Sequence, residues 1–203
     1  MNYKIHSFRH GEIILNNEPD YKIVWNELLN AIQNITDNEV IEHHENNSRK
    51  AKSISESINK ILKSKLVALN WNEESYIFQD DEYSGNRWRL DFAKESISVE
   101  VAFNHGEAIA WNLIKPVLAG ELNHVQKEIN TEIGVIICAT KDLKDKGGFD
   151  GAVGEYEKFL TYLNPLRDIL SVPIVIIGLE APITFEIKVK KINGVKHGIV
   201  EKY

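Results

Sequence analysis

Two acidic residues nine positions apart carry the strongest chemical suggestion in this sequence. They lie in the stretch Arg89-Leu90-Asp91-Phe92-Ala93-Lys94-Glu95-Ser96-Ile97-Ser98-Val99-Glu100-Val101-Ala102-Phe103. The turn-like Ala93-Lys94-Glu95-Ser96 folds the stretch into a hairpin. Asp91 then sits near the end of one strand and Glu100 within the next, and pairing brings the two carboxylates together. On the second strand Val99, Val101 and Phe103 point to the core, while Glu100 and Ala102 share the opposite face. A carboxylate among strongly apolar neighbours is costly unless it holds a partner. Two converging carboxylates suit Mg2+, which completes its octahedron with water, polarises a phosphate and activates an attacking water. The same spacing fits two solvated acids on the open face of an antiparallel hairpin, and spacing alone leaves both readings standing.

Other residue groups carry weaker signals. His43-His44, flanked by Glu42 and Glu45, suggests a metal site, but neighbouring side chains diverge on a helix or strand, and a polar loop is the simpler reading. His105 is either a ligand or a residue at a helix start, and His124 reads as surface. Cys138 lies in the apolar run Ile133-Gly134-Val135-Ile136-Ile137-Cys138-Ala139 with no basic neighbour, which marks an inert core thiol. Gly147-Gly148-Phe149-Asp150-Gly151 lacks the Lys and Ser/Thr of a phosphate-binding Walker loop and reads as a flexible loop near a substrate.

These candidates must be positioned by a chain of 203 residues with 43% hydrophobic and 27% charged residues, which matches one globular domain over 1–203 rather than a disordered or coiled-coil chain. Apolar spacing predicts helices over 21–35 and 53–69, the latter with a basic start. Short aromatic and β-branched runs at 76–78, 87–92 and 97–103 predict antiparallel strands. Helical pattern returns at 107–125, where Pro116 imposes a kink or a new first turn, and at 156–170, interrupted by Pro165. Buried strands follow at 132–140 and 172–179, and a hairpin around Asn193-Gly194 closes the chain at about 184–200. The segments 37–47 and 141–154 read as polar loops, and 3–15 as a strand or arm. The alternation implies an α/β fold, a central mixed β-sheet flanked by helices.

A net charge of -6 argues against non-specific coating of nucleic acid but leaves room for a local basic groove. No apolar stretch reaches the length of a membrane span, the start lacks a secretory core, and the single cysteine forms no internal disulfide. The expected compartment is the cytoplasm.

The pattern Asp91-Phe92, seven intervening residues, then Glu100-Val101-Ala102-Phe103 resembles the active-site hairpin of the BglII- and BstYI-like type II restriction endonucleases, members of the PD-(D/E)XK nucleases. The likeness extends loosely to the helix ending near Trp71, the long helix after the hairpin and the buried strand Val172-Pro173-Ile174-Val175-Ile176-Ile177-Gly178-Leu179. It implies a restriction-endonuclease-like core and Mg2+-dependent hydrolysis of duplex DNA at a short palindrome by a homodimer, with a cognate methyltransferase as genetic partner. Asp91 and Glu100 become the metal ligands, with the Val101 carbonyl as a third oxygen. Glu74 becomes either an added carboxylate or a solvated acid. DNA contacts fall to Arg49, Lys50, Arg87, Arg89, Lys94, Lys141 and Lys144, around loops able to meet base edges.

Ala102 departs from the family pattern, which places Gln, Glu or Lys there; a methyl group neither orients water nor accepts its proton. Either the role has moved to Asn104, His105 or Glu107, or the substrate phosphate and metal-bound hydroxide suffice, or the chain is catalytically weak. The last option leaves open a DNA-binding protein on a nuclease scaffold. A repair-type nuclease of the same superfamily is the other alternative.

Overall fold

The computed structural model describes residues 1–46, 51–83, 88–121 and 130–203. Arg49, Lys50, Arg87 and His124 therefore lie outside the described residues.

A six-stranded mixed sheet forms the centre. Its strands are β1 (Tyr3–Phe8), β2 (Asn72–Tyr76), β3 (Arg89–Lys94), β4 (Ile97–Val101), β5 (Ile133–Ala139) and β6 (Ile174–Leu179), in the order β1-β6-β5-β4-β3-β2. β4, β5 and β6 run parallel, whereas β1, β2 and β3 join antiparallel. The parallel centre explains the unbroken apolar runs at β5 and β6. Both faces are covered, so no position along them needs a polar side chain.

Helices α1 (Gly11–Asn17), α2 (Pro19–Gln33), α3 (Asp37–Asn46) and α4 (Ser55–Ala68) supply the core residues on one face, where Val135 and Ile137 meet Trp25, Leu28 and Ile58. Helices α5 (Ile109–Glu121) and α7 (Tyr156–Leu163) cover the other, where Ile136 and Cys138 meet Ile109, Leu113 and Phe159. Alternation along β5 sends successive side chains to the two cores, and each fully buried aliphatic side chain stabilises the fold by about 1.5–3 kcal/mol. A short helix α6 (Lys141–Lys146) follows β5. Strands β7 (Phe185–Ile192) and β8 (Val195–Lys202) form a separate ribbon turning at Asn193-Gly194, where both residues have positive φ.

Several sequence expectations are corrected. The polar segment 37–47 is largely α3, capped by Thr36 and Glu39: Glu39 N–H donates to Thr36 Oγ1 (3.2 Å) and Thr36 N–H to Glu39 Oε2 (2.9 Å). Its apolar face is narrow, with Val40 and Ile41 joined by buried His44. The loop expected over 141–154 opens with α6, whose first turn is held by Thr140 Oγ1 accepting from Leu143 N–H. Gly147 and Gly148 are packed, a Cβ on Gly148 (φ 71°) lying 2.7 Å from the Lys52 carbonyl, whereas Gly151 faces open space. The segment 3–15 divides into β1 and α1, and β2 precedes rather than includes Ile77-Phe78.

α5 lies unusually close to the sheet. A Cβ on Gly134 of β5 would sit 2.4 Å from Cβ of Pro116, so glycine at that position lets the proline ring rest on the strand. Pro116 lies inside α5 rather than ending it.

Candidate active site

β3 and β4 form a hairpin with the register Phe92↔Val99, Ala93↔Ser98 and Lys94↔Ile97, closed by Glu95-Ser96 with Glu95 at φ 49°. One step beyond Phe92↔Val99 stand Asp91 and Glu100. There the side chain of Asp91 replaces a backbone partner, with Oδ2 accepting from Val101 N–H at 2.7 Å. β4 meanwhile continues its bonding to β5, Ala102 N–H donating to the Ile137 carbonyl at 2.7 Å. On the other side of β3, Glu74 falls opposite Asp91, bracketed by Glu73↔Phe92 and Ser75↔Leu90. Three acids thus occupy one level across β2, β3 and β4.

Glu100 is not on a solvated face. It is 2% exposed and Ala102 is 1% exposed, which overturns the expectation of an open face opposite Val99. α5 covers this side, and Ala102 joins the apolar cluster of Ile109, Leu113, Ile136 and Cys138. The sequence pattern could not show this cover, because alternation looks the same whether a second layer is present or not.

The partner of Glu100 comes from that helix. Lys115 Nζ donates to Glu100 Oε2 at 2.6 Å, while Glu100 Oε1 is buried with no hydrogen-bond partner. Burial, then the neighbouring Asp91 charge, push the Glu100 carboxyl up to about 8 against the pull of Lys115. Burial raises Asp91 as well, opposed by the Val101 N–H and by Lys115. A buried and a half-buried carboxylate that resist joint ionisation, the first with an orphaned oxygen, are short of positive charge. Carboxylate oxygens of this kind fit a hard divalent ion, while the Val101 carbonyl accepts from Phe103 N–H at 3.2 Å. Among the described residues no cluster of three or more His, Cys, Asp or Glu side chains gathers to hold a metal.

A cleft of about 240 Å3 opens beside the hairpin, lined by Asn59 and Lys63 of α4, Glu73 and Glu74 of β2, and Asp91 and Val101. A second hollow, bounded by Ser55, Asn59, Lys60, Phe103 and Asn104, meets it at Val101. Asn59 Oδ1 is also buried without a partner.

The other candidates divide. Glu74 stands on the cleft rim, its Oε2 accepting from Arg89 at 2.7 Å, and Arg89 also lies 5.4 Å over the Tyr76 ring. Lys94 is tied to Glu27 and to the Leu69 carbonyl, both at 2.7 Å, and Lys144 to Glu155. Lys141 is exposed, with its backbone N–H donating to Glu157 at 3.0 Å. His44 Nε2 bonds the Gly198 carbonyl at 2.9 Å and His43 Nδ1 contacts Ser57 Oγ at 3.1 Å, so both work between elements. Asn104 is exposed and bonds Asn112 of α5, while His105 and Glu107 are exposed. Cys138 is fully buried, with its thiol pushed well up by burial. Lys115, Asn59 and Lys63 were not anticipated. The available signal for Lys115 was a lone lysine in the otherwise apolar helix pattern of Ile109–Glu121.

Comparison with known proteins gives the family and the fold. The family model for restriction endonuclease BglII/BglIII matches residues 3–179. Two solved structures are similar over 100% of both chains: restriction endonuclease BglII complexed with a DNA 16-mer, at 20% identity and TM-score 0.68, and free BglII, at 19% and 0.55. No curated protein matches the chain. The hairpin carboxylates, the mixed sheet that carries them and a family match spanning most of the sequence lead to one conclusion: the chain belongs to the BglII/BglIII family of restriction endonucleases.

Proposed function

We propose that this protein is a type II restriction endonuclease that hydrolyses phosphodiester bonds of duplex DNA at a short palindrome, using Mg2+ held by Asp91, Glu100 and the Val101 carbonyl. The observation that carries the reading is a buried carboxylate with an orphaned oxygen, Glu100, paired with the half-buried Asp91 that lines a cleft. The bound ion would polarise the scissile phosphate and lower the pKa of the attacking water. Asp91 also keeps the end of the hairpin open by taking the Val101 N–H. Lys60 and Lys63, which line the cleft paired with Glu56 and Glu73, offer positive charge to a phosphate backbone once released, and Glu74 tempers it at the rim. Lys141, with Arg49, Lys50 and Arg87, is proposed to meet DNA, as are Arg89, Lys94 and Lys144 once released from their ion pairs. A palindromic target calls for a two-fold dimer with one site per strand. Such an enzyme works in the cytoplasm beside a methyltransferase that protects its own sites.

A second reading is favoured by Ala102, whose methyl sits in an apolar cluster and orients no water. On that reading the protein binds DNA without cutting it. Digestion of unmethylated phage DNA with and without Mg2+, beside Asp91→Asn and Glu100→Ala, separates the two. Discrete fragments that vanish in both variants support the endonuclease; a gel shift with no cleavage in Mg2+ or Mn2+ supports the binder. Smearing without discrete fragments points to a nuclease without a fixed site.

A further inference from the structure

We propose that Lys115 is a built-in cation of the metal site: carried on α5, it shares Glu100 with the metal ion, one carboxylate oxygen each, and supplies the positive charge that position 102 lacks. The inference rests on the metal-site reading above. Lys115 is 8% exposed and donates to Glu100 Oε2 at 2.6 Å, which leaves Oε1 as the buried oxygen without a partner. The carboxylate is therefore fixed by one oxygen and open at the other. Ala102, two residues along β4 from Glu100, lies on the same face, and Ile109 and Leu113 of α5 pack with it. A strand-borne side chain there would occupy the space that α5 fills, and Lys115 reaches Glu100 from the same helix.

The placement is enforced rather than loose. The Pro116 ring, adjacent in sequence, rests on Gly134 at a distance no Cβ would permit. Asn112, one turn earlier on α5 and 2% exposed, donates to Asn104 Oδ1 at 3.0 Å and anchors the helix to the segment after β4. Stability alone gives little reason for such a pair. A buried ion pair generally stabilises no more than apolar residues of the same volume, because desolvation offsets attraction. Electrostatics supplies a reason. Asp91 and Glu100 together cancel a divalent ion, and the ammonium leaves the site one net positive charge, complementary to a phosphodiester anion.

The test joins a spectroscopic readout to kinetics. In protein labelled with 15N at lysine, a slowly exchanging ammonium resonance assigned by its loss in Lys115→Met should move on titration with Ca2+, and should not move in Glu100→Gln. In single-turnover cleavage, Lys115→Met should be slower by about 100-fold or more, the usual cost of losing one aimed charge. Its affinity for duplex DNA in Ca2+ should stay within about threefold. Lys115→Arg should keep most of the rate. A Lys115 resonance indifferent to Ca2+ while the Asp91 and Val101 amides respond overturns the proposal, as does a Lys115→Met enzyme cutting at the parent rate. A protein with no Ca2+ response anywhere refutes the metal-site reading itself.

Discussion

Metal binding should displace a proton from Glu100, and the count is predictable. With its carboxyl raised to about 8, Glu100 is about 0.9 protonated at pH 7 and about 0.1 at pH 9 before an ion arrives. An ion bound to the carboxylate needs it deprotonated, so binding should release about 0.9 proton at pH 7 and close to none at pH 9. Apparent affinity should therefore climb nearly tenfold per pH unit toward about 8 and then flatten. The metal-free fold behaves in the opposite sense. Between the ordinary 4.5 and about 8 the folded state binds more protons than the unfolded chain, so the Glu100 contribution to stability declines as pH rises through that window. Calorimetric titration of the DNA-free protein with Ca2+, in buffers of different ionisation enthalpy, reads the proton count from the slope of heat against buffer enthalpy. A count near zero at pH 7, or one that grows with pH, would refute the burial and coupling assigned to this carboxyl.

Two further outcomes follow from the packing. Gly134→Ala places a methyl 2.4 Å from Pro116, well inside the ~3.5–4.0 Å contact range of carbon atoms, so α5 must retreat by more than about 1 Å. The expected cost is roughly 1–3 kcal/mol, read as a lower Tm by scanning calorimetry, and an unchanged Tm would contradict the close packing. In the terminal ribbon Lys191 stands directly opposite Lys196, a like-charge pair. Lys196→Glu should slow amide exchange along β7 and β8 by an amount equivalent to about 0.2–1 kcal/mol, and faster exchange would argue against that register.

The readable part of the fold was the part governed by local pattern. The Asp91 and Glu100 pairing could be seen because a tight turn joins the two strands, and the ribbon because Asn193-Gly194 fixes its turn. α3 escaped because its buried face includes His44, which a hydrophobicity pattern scores as polar. The Thr36-x-x-Glu39 spacing before Val40 was nevertheless a legible helix start. Lys115 was invisible for a different reason. It meets Glu100 across fifteen positions and from another element, and the packing that joins them depends on Gly134 of a third. No motif confined to the hairpin could contain it.

The terminal ribbon is joined to the body in a way that makes it more than an appendage. Gly198 N–H donates to the Ala51 carbonyl, and the Gly198 carbonyl accepts from buried His44. A Cβ at residue 198 would lie 2.3 Å from the Lys52 carbonyl. Ile54 N–H in turn bonds the Gly147 carbonyl, just before α4 begins to line the cleft. The ribbon, the end of α3 and the approach to α4 are thus tied together at Gly198. One backbone hydrogen bond, from Gly198 N–H to the Ala51 carbonyl, joins the ribbon to the segment that leads into the helix carrying Asn59 and Lys63. Any side chain at residue 198 would push against the Lys52 carbonyl and strain both attachments at once.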